Sequence, residues 1–269
     1  MTHCSPSQYN IRAGDVSLHF CTRILIGQHM NKRGKVAGEF VLIIVGVFIA
    51  LMLESMMSER NDGELRTEYL SRIRTDIVTD KQTFEFRIGF FTAVQQFSQD
   101  LLDWMHTDAP VDQSVLLAAF YAAEVWPAVP NISTYQDLQS TGNFRLIENI
   151  DLRTSLFRYY NKADTSRPGW NPSDEFRKII RGIIPSEVQA QIREACPTAD
   201  SADVVPTGFP PCDLRDVDLE RMTALFAPLR SDTAFQRILT YRHSELGVML
   251  RLFRQQVAFA DNVLANIED

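Results

Sequence analysis

Along this chain the apolar positions change their rhythm once. From Phe40 to Leu53 no residue is charged, and apolar side chains fall on every side of a helical wheel, leaving no polar face for water. Extended from Val36 to Met57, the run has 22 residues. That is about 33 Å of helix at ~1.5 Å per residue. A hydrocarbon core is about 30 Å thick, so the run spans one if Glu39 and Glu54 lie near its two interfaces. From Glu64 to Met105 the pattern becomes periodic. Leu70, Ile73, Ile77, Phe84, Ile88, Phe91, Val94, Leu101 and Met105 return at helical spacing, with Lys81 and Ser98 as interruptions. The first pattern predicts a transmembrane anchor over 36–57. The second predicts a long membrane-proximal helix with one buried face, and Gly63 and Gly89 are its candidate bends. A coiled coil fits the length, but Phe84 and Phe91 suit a globular bundle better than a narrow seam.

Further helices follow from their punctuation. Ser114–Val125 reads as a short helix closed by "WPAVP". Ser133–Thr141 is another, with Gly142 as its C-terminal cap. Asn149 or Asp151 caps a segment that puts Leu152, Leu156 and Tyr159 on one face. Asn171 with Pro172 marks a start for "NPSDEFRKIIRGII", which Pro185 breaks. Asp218 and Asp232 cap two more helices, the last reaching Ile267. No alternating strand pattern stands out. The predicted fold is all-α: a single N-terminal transmembrane helix followed by a helical-bundle domain.

Charge orients this layout. Arg12, Arg23, Lys32, Arg33 and Lys35 against Asp15 leave residues 1–38 at +4, and the total of −7 puts −11 on the remainder. Basic residues ahead of an apolar run keep that side in the cytoplasm. The expected organisation is a short cytoplasmic tail over 1–35, the anchor over 36–57 and an extracytoplasmic helical domain over 58–269. Residues 1–29 show no period, and Met30 opens "MNKRGK". They read either as a disordered tail or as an over-extended start. A cleaved signal peptide is the rival for the anchor. Cleavage after Ala50, Ser55 or Ser58 would place Phe48, Leu53 or Met56 at the −3 position, where a small residue is needed. An acidic body also argues against a nucleic-acid partner, because such affinity rests on basic side chains.

Within the anchor, Glu39 stands four residues after Lys35 and can pair with it at the interface. It also heads a stripe, Glu39, Ile43, Gly46, Ala50 and Glu54. On that face Gly46 and Ala50 form a small-xxx-small pair that lets another helix approach. The implied partners are the lipid bilayer and another envelope protein, or a second copy of the chain.

Several of these residues resemble an uncharacterised bacterial family of single-pass membrane proteins. The similarity lies in Gly38-Glu39, Gly46, Ile49-Ala50-Leu51 and Glu59-Arg60. It continues through Tyr69-Leu70, Ile73 and Asp76, then Ser140, Gly142, Leu146-Ile147, Asn149, Leu152-Arg153, Leu156 and Tyr159-Tyr160. It covers about residues 35–165. Glu54-Ser55-Met56-Met57 stands where the family carries Asn-Asn-Trp-Asn. The resemblance implies an anchor in the bacterial inner membrane and a helical body, and it implies no activity.

Cys196 and Cys212 are the only cysteines after the anchor, around a Pro-rich loop. In an oxidising compartment they are expected to bond, which would stabilise by roughly 3 kcal/mol in the chain-entropy model. Metal-ligand spacing, phosphate loops and nucleophile motifs are not evident, so no cofactor or metal is expected. His106 and His243 read as surface or helix-end residues. Arg153, Arg158 and Tyr159 form a candidate anion-facing triplet, with interhelical packing as the alternative. These observations predict a non-catalytic partner-binding, sensory or scaffold module of the envelope. The alternative is an extracytoplasmic enzyme with a site assembled from scattered polar residues.

Overall fold

The structure is a computed structural model that describes residues 32–126, 128–171, 175–196 and 212–268. The expected tail over 1–29, the loop between the cysteines and Pro172 lie outside the described residues, as does the Lys35 side chain of the expected Lys35–Glu39 pair. The described residues are all-α. They form α1 (Lys32–Met105), α2 (Gln113–Ala122), α3 (Ser133–Ser140), a 3-10 turn (Asn143–Leu146), α4 (Ile150–Trp170), α5 (Glu175–Ile183), α6 (Ser186–Ala195), α7 (Leu219–Ser231) and α8 (Thr233–Glu268). The chain divides into two compact units, Met1–Met57 and Ser58–Asp269.

In the first unit, the apolar run of α1 is long and apolar enough to cross a membrane, and none of it is buried within the protein. Phe40, Ile43, Phe48 and Leu51 are all more than half exposed.

The second unit buries the periodic stripe of α1 in three successive apolar clusters. Tyr69, Ile73 and Ile77 meet Tyr135, Leu138, Leu156 and Val263. Phe84, Phe91 and Val94 meet Trp170, Met249 and Phe253. Leu101 and Trp104 meet Phe120, Ile180, Met222, Phe226 and Phe235. The order of these contacts along α8 is the reverse of that along α1, so the two helices run antiparallel, and α4 runs alongside α1. The middle cluster is aromatic: Phe84 lies 5.1 Å from Trp170 and 5.7 Å from Phe253 between ring centroids. Such pairs each add about 0.5–1.5 kcal/mol beyond the area they bury. A stripe packed on several different helices is globular and does not form a two-stranded seam.

Local chemistry sets the helix ends. Asp112 accepts from the Val115 amide at 2.9 Å, and Asn149 accepts from the amides of Asp151 and Leu152 at 2.9 and 3.1 Å. Asp218 and Asp232 cap α7 and α8 in the same way. Gly142 takes φ +71° just beyond α3, the left-handed conformation that closes a helix most cheaply with glycine.

Four boundaries differ from expectation. α1 passes through Gly63 and Gly89 as one continuous helix, because burial on its partners outweighs a glycine's modest helix penalty. α2 spans Gln113–Ala122 rather than Ser114–Val125, since Asp112 supplies the cap one residue earlier. α4 continues through Pro168 to Trp170, whose indole is fully buried and anchors the last turn. Asn171, expected to cap the next helix, closes α4 with its amide donating to the Pro168 carbonyl, and α5 is described from Glu175 onward.

Candidate functional site

The residues singled out by sequence fall in separate places. Glu39, Gly46 and Ala50 are exposed on the apolar part of α1, and a Cβ built on Gly46 would meet nothing within 4 Å. Cys196 and Cys212 form a disulfide with Cα atoms 5.2 Å apart. It ties the end of α6 to the segment before α7. The Cys212 carbonyl also accepts from the Gln113 side chain at 2.7 Å, which brings the N-terminus of α2 alongside.

Arg153, Arg158 and Tyr159 are not brought together. Tyr159 is fully buried, Arg158 is exposed, and Arg153 donates to the Ile147 carbonyl just before α4. Tyr159 therefore serves packing and Arg153 bonds the chain before α4, while Arg158 faces solvent, since one helix turns these side chains to different faces. His106 is exposed just beyond α1 and its Nδ1 lies 2.7 Å from the Leu102 carbonyl. His243 is half-buried, with Nδ1 2.8 Å from the Ser98 hydroxyl. Ser98 is fully buried and also donates to the Gln95 carbonyl at 2.7 Å. This Ser–His contact joins α1 to α8 and leaves the hydroxyl closed to substrate.

Two buried polar constellations carry no obvious sequence signal. The first grips the end of α2. That helix has no basic residue in its last turn, so its unpaired carbonyls must be met from elsewhere. Arg181 of α5 bonds the Phe120 carbonyl at 3.3 Å, and Arg177 bonds that of Ala123 at 2.9 Å. Arg242 of α8 bonds the carbonyls of Ala122 and Glu124 at 3.1 and 2.6 Å, and Arg87 of α1 bonds that of Trp126 at 2.6 Å. Arg181 also pairs with the Glu124 carboxylate. Cations suit this end because the helix dipole is negative there. Burial lowers the pKa of Arg87, Arg181 and Arg242, yet a guanidinium remains protonated at neutral pH.

The second constellation surrounds Asp80 of α1, which is 5% exposed. Its carboxylate accepts from the Asn131 amide at 2.9 and 3.1 Å and from the Tyr159 hydroxyl at 2.7 Å. One turn earlier, Asp76 accepts from the Asn131 side chain at 2.7 Å. Burial pushes the Asp80 carboxyl up to about 6, against the two hydrogen-bond donors that favour its charged form, and the Asp76 charge adds to the rise. Burial likewise raises the Tyr159 and Tyr160 phenols. Three segments thus meet on one carboxylate: α1, the strap leading into α3, and α4.

Above this nest a groove of about 270 Å³ opens between α3 and α4. One wall presents Ile132, Gln136 and Gln139, and the other presents Phe157, Asn161 and Asp164, both at helical i, i+4, i+7 spacing. Tyr135 and Tyr160 line the floor, stacked with ring centroids 4.1 Å apart. Phe157 is 60% exposed, a large apolar side chain left in water at the groove's edge. No group of three or more His, Cys, Asp or Glu side chains placed to hold a metal occurs among the described residues. Comparison with family models, with curated proteins and with solved structures finds no match to this chain.

Proposed function

We propose that this chain is a single-pass protein of the bacterial inner membrane, with its N-terminus in the cytoplasm and its helical body in the periplasm. Its function there is non-catalytic: the body binds a partner or senses a condition of the envelope. One observation carries this reading. Within α1, a fully unburied apolar stretch precedes a stretch whose apolar face is wholly used by the body. The first has no use for its apolarity except lipid or another membrane helix. The basic lead at Lys32, Arg33 and Lys35 supports the orientation, and the Cys196–Cys212 disulfide supports an oxidising compartment. The resemblance to the uncharacterised single-pass family agrees and adds no activity.

Glu39, Gly46 and Ala50 form the face through which a second membrane helix would pack, whether from another envelope protein or from a second copy. A Gly46→Leu change should then reduce recovery of that partner from mild detergent, and unchanged recovery would remove the face from consideration.

The topology is tested by fusing reporters after Asp269. Alkaline phosphatase activity with a dark green-fluorescent fusion is expected, and the protein should stay with vesicles through a carbonate wash. A fluorescent fusion, or release by carbonate, would end the reading. An extracytoplasmic enzyme would need an accessible nucleophile or base. The Ser98–His243 contact offers no accessible nucleophile, because Ser98 has no exposed surface.

A further inference from the structure

We propose that the groove between α3 and α4 binds one neutral sugar residue of an envelope glycan, with Phe157 against the C–H face of the ring and Gln136, Gln139 and Asn161 bonding its hydroxyls. The inference takes the periplasmic placement from the preceding reading, which is where such glycans are met.

The groove's chemistry narrows the ligand. A pyranose ring has an apolar C–H face and a rim of hydroxyls that both donate and accept. Phe157 supplies an exposed flat apolar surface, and it stands one turn from Asn161 on the same face of α4. Asn and Gln amides carry a carbonyl that accepts and an amino group that donates, so three of them satisfy hydroxyls in either role. Gln136, Gln139 and Asn161 are all exposed, so binding would not have to break the body's own packing.

Other ligand classes fit less well. An anion would rely on Arg167, which already faces Asp164 at 3.6 Å, and phosphate recognition uses clustered arginines. A peptide added as a strand needs a sheet edge, and the described residues contain no strand. A docked helix needs exposed apolar anchors repeated over two turns, whereas Ile132 and Phe157 are each followed at i+4 and i+7 by polar residues. The volume of about 270 Å³ also lies below the roughly 300–1,000 Å³ of drug-sized sites, which suits a single ring better than a folded segment.

The test is calorimetric titration of the full chain, held in a detergent without sugar headgroups so that the detergent does not compete. The probes are methyl β-glucoside and the β-1,4-linked disaccharide of N-acetylglucosamine, with trialanine as the peptide control. Saturable binding of at least one sugar is expected, weakened about tenfold by Phe157→Ala and less by Asn161→Ala. The melting temperature of both variants should match the parent, because both side chains are exposed. No saturation with either sugar, equal binding by the parent and Phe157→Ala, or displacement of the sugar by trialanine would overturn the proposal. The titration uses purified protein, so its failure leaves the topology standing, and a failed topology leaves the titration readable.

Discussion

Two stretches of α1 are equally helical and both carry large apolar residues, yet they use them in opposite ways. In residues 40–57 every apolar side chain is exposed and no face is preferred. In residues 69–105 Ile73, Ile77, Phe91, Val94 and Leu101 are fully buried while Arg72, Arg74, Thr92 and Asp103 face water. Both kinds of helix carry large apolar side chains. The arrangement separates them: uniform apolarity suits a uniform solvent, and a periodic stripe suits a solvent on one side and protein on the other.

The same substitution placed in each stretch gives the sharpest test. Phe91→Ala removes a fully buried ring from the aromatic cluster and should lower the body's unfolding free energy by about 3–5 kcal/mol. Phe48→Ala, in a residue 61% exposed, should leave the body's denaturation curve in detergent where it was. Near-ultraviolet circular dichroism against urea reads both. Equal losses would mean that residue 48 packs on protein, and the contrast between the stretches would be lost.

The second difference lies in polar content. The body buries Asp80, Arg87, Arg242, Gln256 and several hydroxyls, and each of these charged groups is answered by a named partner. Arg242→Ala would strip the Ala122 and Glu124 carbonyls of their donors at the end of α2. Leaving buried acceptors unmet should cost about 2–4 kcal/mol, read by the same denaturation curve. Arg251→Ala, on an exposed position of the same helix, is the control and should cost almost nothing.

Much of this contrast was legible in the chain, for a physical reason. The uniform run, the periodic stripe and the caps at Asn149, Asp218 and Asp232 are local patterns, and each is fixed by residues within a turn or two. The start of α2 shifted by a local cap at Asp112, but the end of α4 was decided at long range. α4 continues through Pro168 because Trp170 fills a cavity lined by Phe84 and Phe253, which are 86 and 83 positions away in sequence. The candidate site was illegible for the same reason. Asp80 meets Asn131 and Tyr159 only once three segments have packed, and nothing near Asp80 in sequence distinguishes it from an exposed helix carboxylate. The groove could have been sought at Phe157, an aromatic one turn before Asn161 on a face that the Leu152–Leu156–Tyr159 stripe leaves outside. The arginine clamp left a fainter trace: a short apolar helix with no basic or glycine cap of its own.

Asp80 also separates the stretches by pH. Its carboxyl is raised from 3.8 to about 6 in the folded protein. Between those values the folded state holds more protons than the unfolded chain. The stability contributed by the neutral form is therefore complete below 3.8 and is lost as pH rises through about 6. The loss is on the order of 2–3 kcal/mol, from about 1.36 kcal/mol per unit. Asp80→Asn keeps a carbonyl for the Asn131 amide and cannot ionise. Its stability relative to the parent should improve as the buffer moves from pH 5 to pH 7. A parallel pH dependence in the two proteins would show that Asp80 does not titrate in this window.

The smallest effect is expected where α1 pairs with the 3-10 turn near the start of the body. Arg145 grips Asp62 through two bonds of 2.6 and 2.9 Å, the shape that gives an ion pair its best geometry. The hydrogen bonds with Arg145 hold the Asp62 carboxyl below its usual value. Yet the Arg145 side chain is 63% exposed, so water and salt screen the pair and the long side chain loses entropy in holding it. Arg145→Ala should accordingly leave the denaturation midpoint close to the parent's, and any difference should vanish in high salt. A large, salt-resistant loss would mean that this contact is shielded from water, and the boundary between the lipid-facing and core-forming stretches would then begin before Tyr69.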